Sequence, residues 1–211
     1  MFRTFMAKYI IDVCSAAVLW LPVLAVLDII FCRRMVRIKK AGCLLFVVYL
    51  SAVCSIVGFP GITSLTVDIT YNLIPFADIA TGFERYIELS LLNILLFLPL
   101  GILLPFLWKE FRSLKNIILF GAGLSFVIEV LQLFTFRASD VDDLIMNTGG
   151  TVIGYGLITL CTGRFRYDPA EAESGCAKRE LSVLMGIVLL SEFFVQPFVS
   201  DKLWEWTQSF F

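Results

Sequence analysis

The sequence predicts an all-α fold, a polytopic bundle of about six transmembrane helices with both termini outside. Of its 211 residues, 59% are apolar and only 17% are charged, whereas soluble domains average about 45–50% apolar and about 25% charged. The apolar residues recur in runs of about 20, the length of a membrane-crossing helix. This composition argues against a disordered protein, a nucleic-acid binder and a soluble enzyme.

Six apolar runs are the predicted spans, each long enough to cross a hydrocarbon core of ~30 Å as a helix. They are Tyr9–Cys32, Ala41–Phe59, Leu89–Trp108, Asn116–Phe134, Leu144–Cys161 and Leu181–Val199. A helix is required because lipid offers the backbone no hydrogen-bonding partner. The chain then divides into an N-terminal helix with a basic cytoplasmic link (1–44), a central membrane domain (45–160), and a second link with the last helix and an aromatic tail (161–211).

Lysine and arginine set the predicted orientation, because cytoplasmic links carry an excess of both. Twelve of the 17 basic residues fall in the links between spans one and two, three and four, and five and six. These links are therefore placed in the cytoplasm and both termini outside. The competing arrangement has the N-terminus inside and one missed or re-entrant span, and Arg3 and Lys8 favour it.

The absence of histidine restricts the chemistry open to this chain. It excludes His-ligated zinc, a Ser–His triad and a histidine proton shuttle. The six cysteines lie within spans or on the cytoplasmic side and form no CxxC pair, so no structural disulfide is expected. We predict no metal site and no cofactor.

Ionisable groups inside membrane spans are costly, so each is a functional candidate. Glu129 lies in the fourth span and shares a helix face with Ser125 and Gln132. Asn93 lies in the third span, about one turn below the predicted outer surface. Because a lone buried carboxylate needs a partner or a proton, Glu129 is the strongest single candidate.

The fifth span brings more polar groups to the same end of the bundle. Asp140, Asp143 and Asn147 fall on one arc of its helix, together with Gly150 and Gly154. The two glycines form a GxxxG pair, which allows close helix contact within one chain or between copies, so a homo-oligomer stays open. Asp142 is predicted to point the other way, toward water.

The predicted ligand-binding residues form an outward-facing polar pocket at nearly one depth. They are Asn93, Glu129, Gln132, Arg137, Asp140, Asp143 and Asn147. Arg137 suits a phosphate or a carboxylate, and the carboxylates suit a cation or hydrogen-bond donors. Glu129, Asp140 and Asp143 are the candidates for any catalytic role.

Structural roles compete for several of these residues. Asn93 and Asn147 suit interhelical hydrogen bonds, and Arg137 suits an ion pair with Asp140 or Asp143. Asp140 and Ser139 also suit the N-terminal cap of the fifth helix.

Several segments of the chain, in this order and spacing, resemble the VanZ-like family over roughly residues 45–160. They are Asn72-x2-Pro75-Phe76, Asn93-x3-Phe97-x-Pro99-x-Gly101, Glu129-x2-Gln132, and Arg137-x2-Asp140-x2-Asp143-x3-Asn147-x2-Gly150-x3-Gly154. The resemblance implies a multi-pass protein of the bacterial cell membrane, in a family whose namesake is linked to resistance to the glycopeptide teicoplanin. Asn72, Pro75, Phe76, Phe97, Pro99, Gly101 and the glycine pair are its structural motif residues.

Three functions are compatible with these observations. The first is recognition of an envelope lipid or a lipid-linked cell-wall precursor through the polar pocket. The second is an intramembrane hydrolase or transferase acting on a lipid-linked substrate, with Glu129 as general base and Asp140 or Asp143 as metal ligands. The third is a small lipid transporter, which the lack of a visible inverted repeat disfavours. The predicted partners are membrane lipids, with no nucleic acid.

Overall fold

A computed structural model describes residues 37–63, 65–66, 70–80, 82–135, 139–162 and 175–208. The first predicted span, Tyr9–Cys32, lies outside these residues, as do Arg137 and the end of the aromatic tail, Phe210 and Phe211. The described chain separates into two compact units: the first combines its residues up to Leu65 with those from Ser182 onward, and the second comprises those within Thr66–Leu181.

The described elements are mostly helical, as predicted. The helices are α1 (Arg37–Val57), α2 (Phe83–Leu107), α3 (Leu114–Gln132), α4 (Val141–Thr162), α5 (Gly175–Phe194) and α6 (Gln196–Gln208). Two-residue strands, β1 (Tyr71–Asn72) and β2 (Ser139–Asp140), form a parallel pair that the all-α prediction did not contain. Short 3-10 helices occupy Ala77–Ala80 and Lys109–Phe111.

Three described helices are long and apolar enough to cross a membrane, namely Phe83–Leu107, Leu114–Gln132 and Val141–Cys161. They correspond to the third, fourth and fifth predicted spans. The pair Glu180–Phe194 and Gln196–Trp206, bent by 50°, makes a fourth if it is counted as one broken span. The apolar part of α1, Ala41–Val57, is shorter. The described residues thus support a multi-pass membrane protein, and the count of six and the sides of the termini stay predictions.

The contact between α2 and α4 is the most extensive in the second unit, and glycines make it possible. A Cβ at Gly150 would collide with the backbone of Ile94, and one at Gly154 with the backbone of Leu98. From the other side, a Cβ at Gly101 would collide with the backbone of Thr151. The GxxxG pair is therefore used within the chain, where it lets two helix backbones approach.

Helix α2 is continuous through both of its prolines, Pro99 and Pro105. Phe97 and Leu100 are fully buried on the same helix, next to the glycine contact. Pro99 and Gly101 therefore belong to the packed middle of the bundle, away from its polar end.

The first unit has an amphipathic α1 of its own. Its buried apolar side chains follow a helical repeat and are Cys43, Phe46, Val47, Leu50, Val53, Cys54 and Val57. After α1 ends, the backbone N–H of Ile62 donates to the carbonyl of Phe193 at 3.0 Å, which ties the following turn to the end of α5.

Candidate functional site at the polar end of the bundle

The short strand pair brings two distant segments together at the polar end of the second unit. Tyr71 pairs with Ser139 and Asn72 with Asp140, and the N–H of Ser139 donates to the carbonyl of Thr70 at 3.0 Å. The side-chain amide of Asn72 then lies 3.5 Å from the Asp140 carboxylate as a long hydrogen bond. A segment 68 residues earlier in the chain thus contacts the residue just before α4.

Asp140 joins the start of α4 to Glu129 of α3. Its carboxylate accepts the backbone N–H of Asp142 at 2.9 Å, the geometry of an N-terminal cap. Its own backbone N–H donates to Oε2 of Glu129 at 2.8 Å. The capping alternative predicted for Asp140 is therefore observed, and both Ser139 and Asp140 also take part in the strand pair.

Glu129 is buried, with 6% of its surface exposed. Besides the N–H of Asp140, the side chain of Ser139 hydrogen-bonds to its carboxylate. The carboxylates of Asp140 and Asp143 both lie close enough to act on it electrostatically. Three carboxyl groups from different parts of the chain are thus gathered at this end of the bundle.

Two interhelical hydrogen bonds complete this end of the bundle. The side-chain amide of Asn93 on α2 donates to Oδ1 of Asp143 on α4 at 2.5 Å. The side-chain amide of Asn147 on α4 donates to Oγ of Ser125 on α3 at 2.9 Å. Both asparagines thus make the structural contacts that sequence reasoning offered as the alternative to a ligand role.

We use the name polar layer for the described members of the predicted site. These are Asn93, Glu129, Gln132, Asp140, Asp143 and Asn147. Gln132 is buried one helical turn after Glu129, at the end of α3. The layer draws on α2, α3, α4 and the residue before α4, as predicted from helix periodicity. Arg137, the predicted cation of the site, lies outside the described residues.

The prediction for Asp142 is wrong. Only 5% of its surface is exposed, and both of its carboxylate oxygens accept the backbone N–H of Phe76, at 2.9 and 3.0 Å. Helix periodicity correctly places it away from Asp140 and Asp143, but that side is covered by the loop after β1 instead of water. The end of β1 and that loop contain the Asn72-x2-Pro75-Phe76 segment, which therefore lies beside the candidate site.

In the described part of the chain, no group of three or more cysteine, aspartate or glutamate side chains is arranged to hold a metal ion. The polar layer is instead held by hydrogen bonds to backbone and amide groups.

The profile of the VanZ/LLP1 family matches residues 46–162, more than half of the chain. The chain belongs to the VanZ/LLP1 family. The resemblance predicted from the motif residues is thereby confirmed, and the matched region contains the whole polar layer and the glycine contact between α2 and α4.

A curated VanZ/LLP1 relative is Protein VanZ of Enterococcus faecium, 38% identical over 91 residues. The alignment covers 41% of this chain and 52% of the relative. The chain therefore spans about half the length of the curated relative that it matches. No solved structure matches this chain.

Sequence reasoning overlooked a second set of buried polar residues, in the first unit. Glu192 and Gln196 are buried one turn apart, and Ser51 and Cys54 are buried on α1. The Glu192 carboxylate lies close enough to the Cys54 thiol to act on it electrostatically. Glu192 and Gln196 also lie outside the stretch that matches the VanZ/LLP1 family. The sequence contains a feature that could have identified this set, because Glu192 is an acidic residue within the sixth predicted span.

Proposed function

We propose that this VanZ/LLP1 protein recognises an envelope lipid, or a lipid-linked cell-wall precursor, through the polar layer. Binding or sequestering such a molecule would leave a glycopeptide such as teicoplanin with less target. The observation that carries the proposal is the gathering of three carboxylates and three side-chain amides from three helices at one end of the bundle. Polar groups are expensive in a membrane bundle and by default mark a functional site.

The chemistry of the layer favours a head group rich in hydrogen-bond donors. Glu129, Asp140 and Asp143 accept bonds from hydroxyl, amide or ammonium groups, which sugars and peptides attached to lipids carry. The sequence places Arg137 three residues before Asp140. A guanidinium there supplies the donor pair that a phosphate requires.

The orientation belongs to the same proposal. In this proposal the polar layer lies at the outer face of the bacterial cell membrane, because the excess of basic residues on the other side of the bundle favours that orientation. Cell-wall precursors and glycopeptides meet on that face. The exposed apolar sides of α2, α3 and α4 would face lipid, so a lipid-linked molecule can approach the layer from within the membrane.

The test is teicoplanin susceptibility in a sensitive bacterium that produces the protein. Glu129→Gln removes the charge but keeps an oxygen that accepts the N–H of Asp140, so the fold is preserved while the site changes. Glu84→Gln is the matched control, because Glu84 is exposed on the first turn of α2. We also include Arg137→Ala.

At matched expression, we expect the wild type and Glu84→Gln to lower susceptibility. We expect Glu129→Gln and Arg137→Ala to fall to the level of empty vector. If wild type itself equals empty vector, the connection with teicoplanin is lost for this protein. If Glu129→Gln protects as well as wild type, the polar layer is not the site.

An intramembrane hydrolase or transferase is the second candidate, favoured by the two aspartates within electrostatic reach of Glu129. Crowded carboxylates can hold one proton among them and act as acid and base in turn. An enzyme would change the lipid-linked pool of the cell, with a new product that depends on Glu129. Identical lipid profiles with and without the protein would exclude such an enzyme and leave lipid binding without a reaction as the function.

A further inference from the structure

The loop after β1 carries an apolar tip directly beside the polar layer. Leu73 and Ile74 are 68% and 69% exposed and Phe76 is 49% exposed, with Pro75 between them. We call Leu73–Phe76 the apolar wedge. We propose that the wedge is seated among the acyl chains of the membrane leaflet next to the polar layer.

Several backbone groups of the wedge are already paired within the protein. The N–H of Ile74 donates to the side chain of Asn72 at 3.2 Å, and the N–H of Phe76 donates to Asp142. The N–H of Ala77 donates to the carbonyl of Ile74 at 3.3 Å, and Pro75 has no N–H. Such internal pairing lowers the cost of placing the loop in hydrocarbon, where water cannot supply a partner.

The wedge lies close in the chain to an exposed apolar face of α2. Phe83, Ile87, Leu91 and Leu95 are all exposed and recur every four residues, so they form one broad face of a helix long enough to cross the membrane. The wedge precedes the start of α2 by one short 3-10 helix. In this proposal, the lipid that contacts this face of α2 also contacts the wedge.

The wedge is held in a fixed position by the contact between Phe76 and Asp142. Phe76 adopts a φ of 63°, a left-handed conformation that is unfavourable for a bulky side chain. Such a conformation persists only when its surroundings enforce it. The buried carboxylate of Asp142 supplies that constraint by accepting the Phe76 N–H with both oxygens. Since Asp142 lies in the first turn of α4, it also fixes the wedge relative to Asp140 and Glu129.

The seating of the wedge in lipid is independent of whether the polar layer binds a ligand. Its test therefore succeeds or fails separately from the test of the proposed function. The alternative is that a second copy of the chain covers the wedge, and the experiment distinguishes that copy from lipid.

The experiment places the photoreactive amino acid p-benzoylphenylalanine at Ile74, and in a second variant at Leu73. The full chain is irradiated in liposomes of defined phospholipid and analysed by intact mass. Leu91 on the exposed face of α2 is the lipid-facing reference position. Ser113, exposed in the polar link between α2 and α3, is the reference for a position outside the acyl region.

We expect a mass increase of one phospholipid at position 74 or 73, in a yield like that at 91 and well above that at 113. Adding Asp142→Ala should lower the yield at 74 and leave the yield at 91 unchanged. A cross-linked dimer at 74 and 73 would overturn the proposal in favour of a second copy. Yields at both positions no higher than at 113, in protein whose thermal unfolding matches wild type, would also overturn it.

Discussion

The carboxylate of Asp142 accepts the backbone N–H of Phe76 with both of its oxygens, at 2.9 and 3.0 Å, across 66 residues of sequence. The contact joins the loop after β1 to the first turn of α4. Together with the Asn72–Asp140 pairing, it holds the start of α4 in place beside Glu129. The loop and the polar layer are thus one structural assembly.

Removing the Asp142 carboxylate should destabilise the protein. Asp142→Ala leaves the Phe76 N–H without its acceptor, and hydrogen bonds to charged groups are worth about 1.5–3 kcal/mol. We expect a loss of that size in the free energy of unfolding, measured in detergent micelles. Asp142→Asn keeps one oxygen acceptor and should lose less.

The control for this measurement is Asp201→Ala, because Asp201 is exposed on α6. It should leave stability near wild type. If Asp142→Ala is no less stable than Asp201→Ala, the contact with Phe76 does not hold the loop.

The glycine contact between α2 and α4 makes a second prediction. Gly150→Ala places a Cβ against the backbone of Ile94, which cannot move aside like a flexible side chain. Forcing the helices apart should cost about 1–3 kcal/mol of unfolding free energy. Gly149→Ala is the matched control, because a Cβ there meets nothing within 4 Å.

On the same helix, Gly149→Ala should be neutral or gain up to about 1 kcal/mol from helix propensity. Thermal unfolding of the two variants in one detergent separates these effects. Equal stability of Gly150→Ala and Gly149→Ala would show that α2 and α4 do not approach as closely as described.

The Asn93–Asp143 hydrogen bond is suited to a double-mutant cycle, because each residue lies on a different helix. Asn93→Ala, Asp143→Ala and the double variant should give a coupling of about 0.6 kcal/mol, the average of such cycles on interhelical hydrogen bonds in a membrane protein, and no more than ~1.7 kcal/mol, their maximum. The cycle removes the contributions that each residue makes elsewhere. Additive effects within about 0.3–0.5 kcal/mol would mean that the pair does not interact.

The polar layer was largely predictable because helix geometry fixes both direction and depth. Glu129 and Gln132 share a face by their spacing, and Asp143 and Asn147 do so on the next helix. Short links between antiparallel spans then bring Asn93, Glu129 and Asp143 to one end. The close approach of α2 and α4 was likewise predictable from Gly150 and Gly154 as a glycine contact, but the helix that they meet was not.

The environment of Asp142 was not predictable in the same way. Periodicity gives the direction of its side chain but not what lies in that direction. The occupant, Phe76, comes from a loop whose path depends on a two-residue strand pair between Tyr71–Asn72 and Ser139–Asp140. Strands this short leave no alternating pattern in the sequence. The partner of Asp142 therefore emerges only from the three-dimensional arrangement.

Native mass spectrometry of the purified protein tests whether the polar layer binds a lipid through Glu129. Wild type, Glu84→Gln and Glu129→Gln would be extracted from bacterial membranes in one mild detergent and their bound lipids identified. We predict that wild type and Glu84→Gln retain the same lipid class, enriched over the bulk membrane, and that Glu129→Gln loses it. If Glu129→Gln retains that lipid, or if the wild type carries only bulk lipids, the polar layer does not bind a lipid through Glu129.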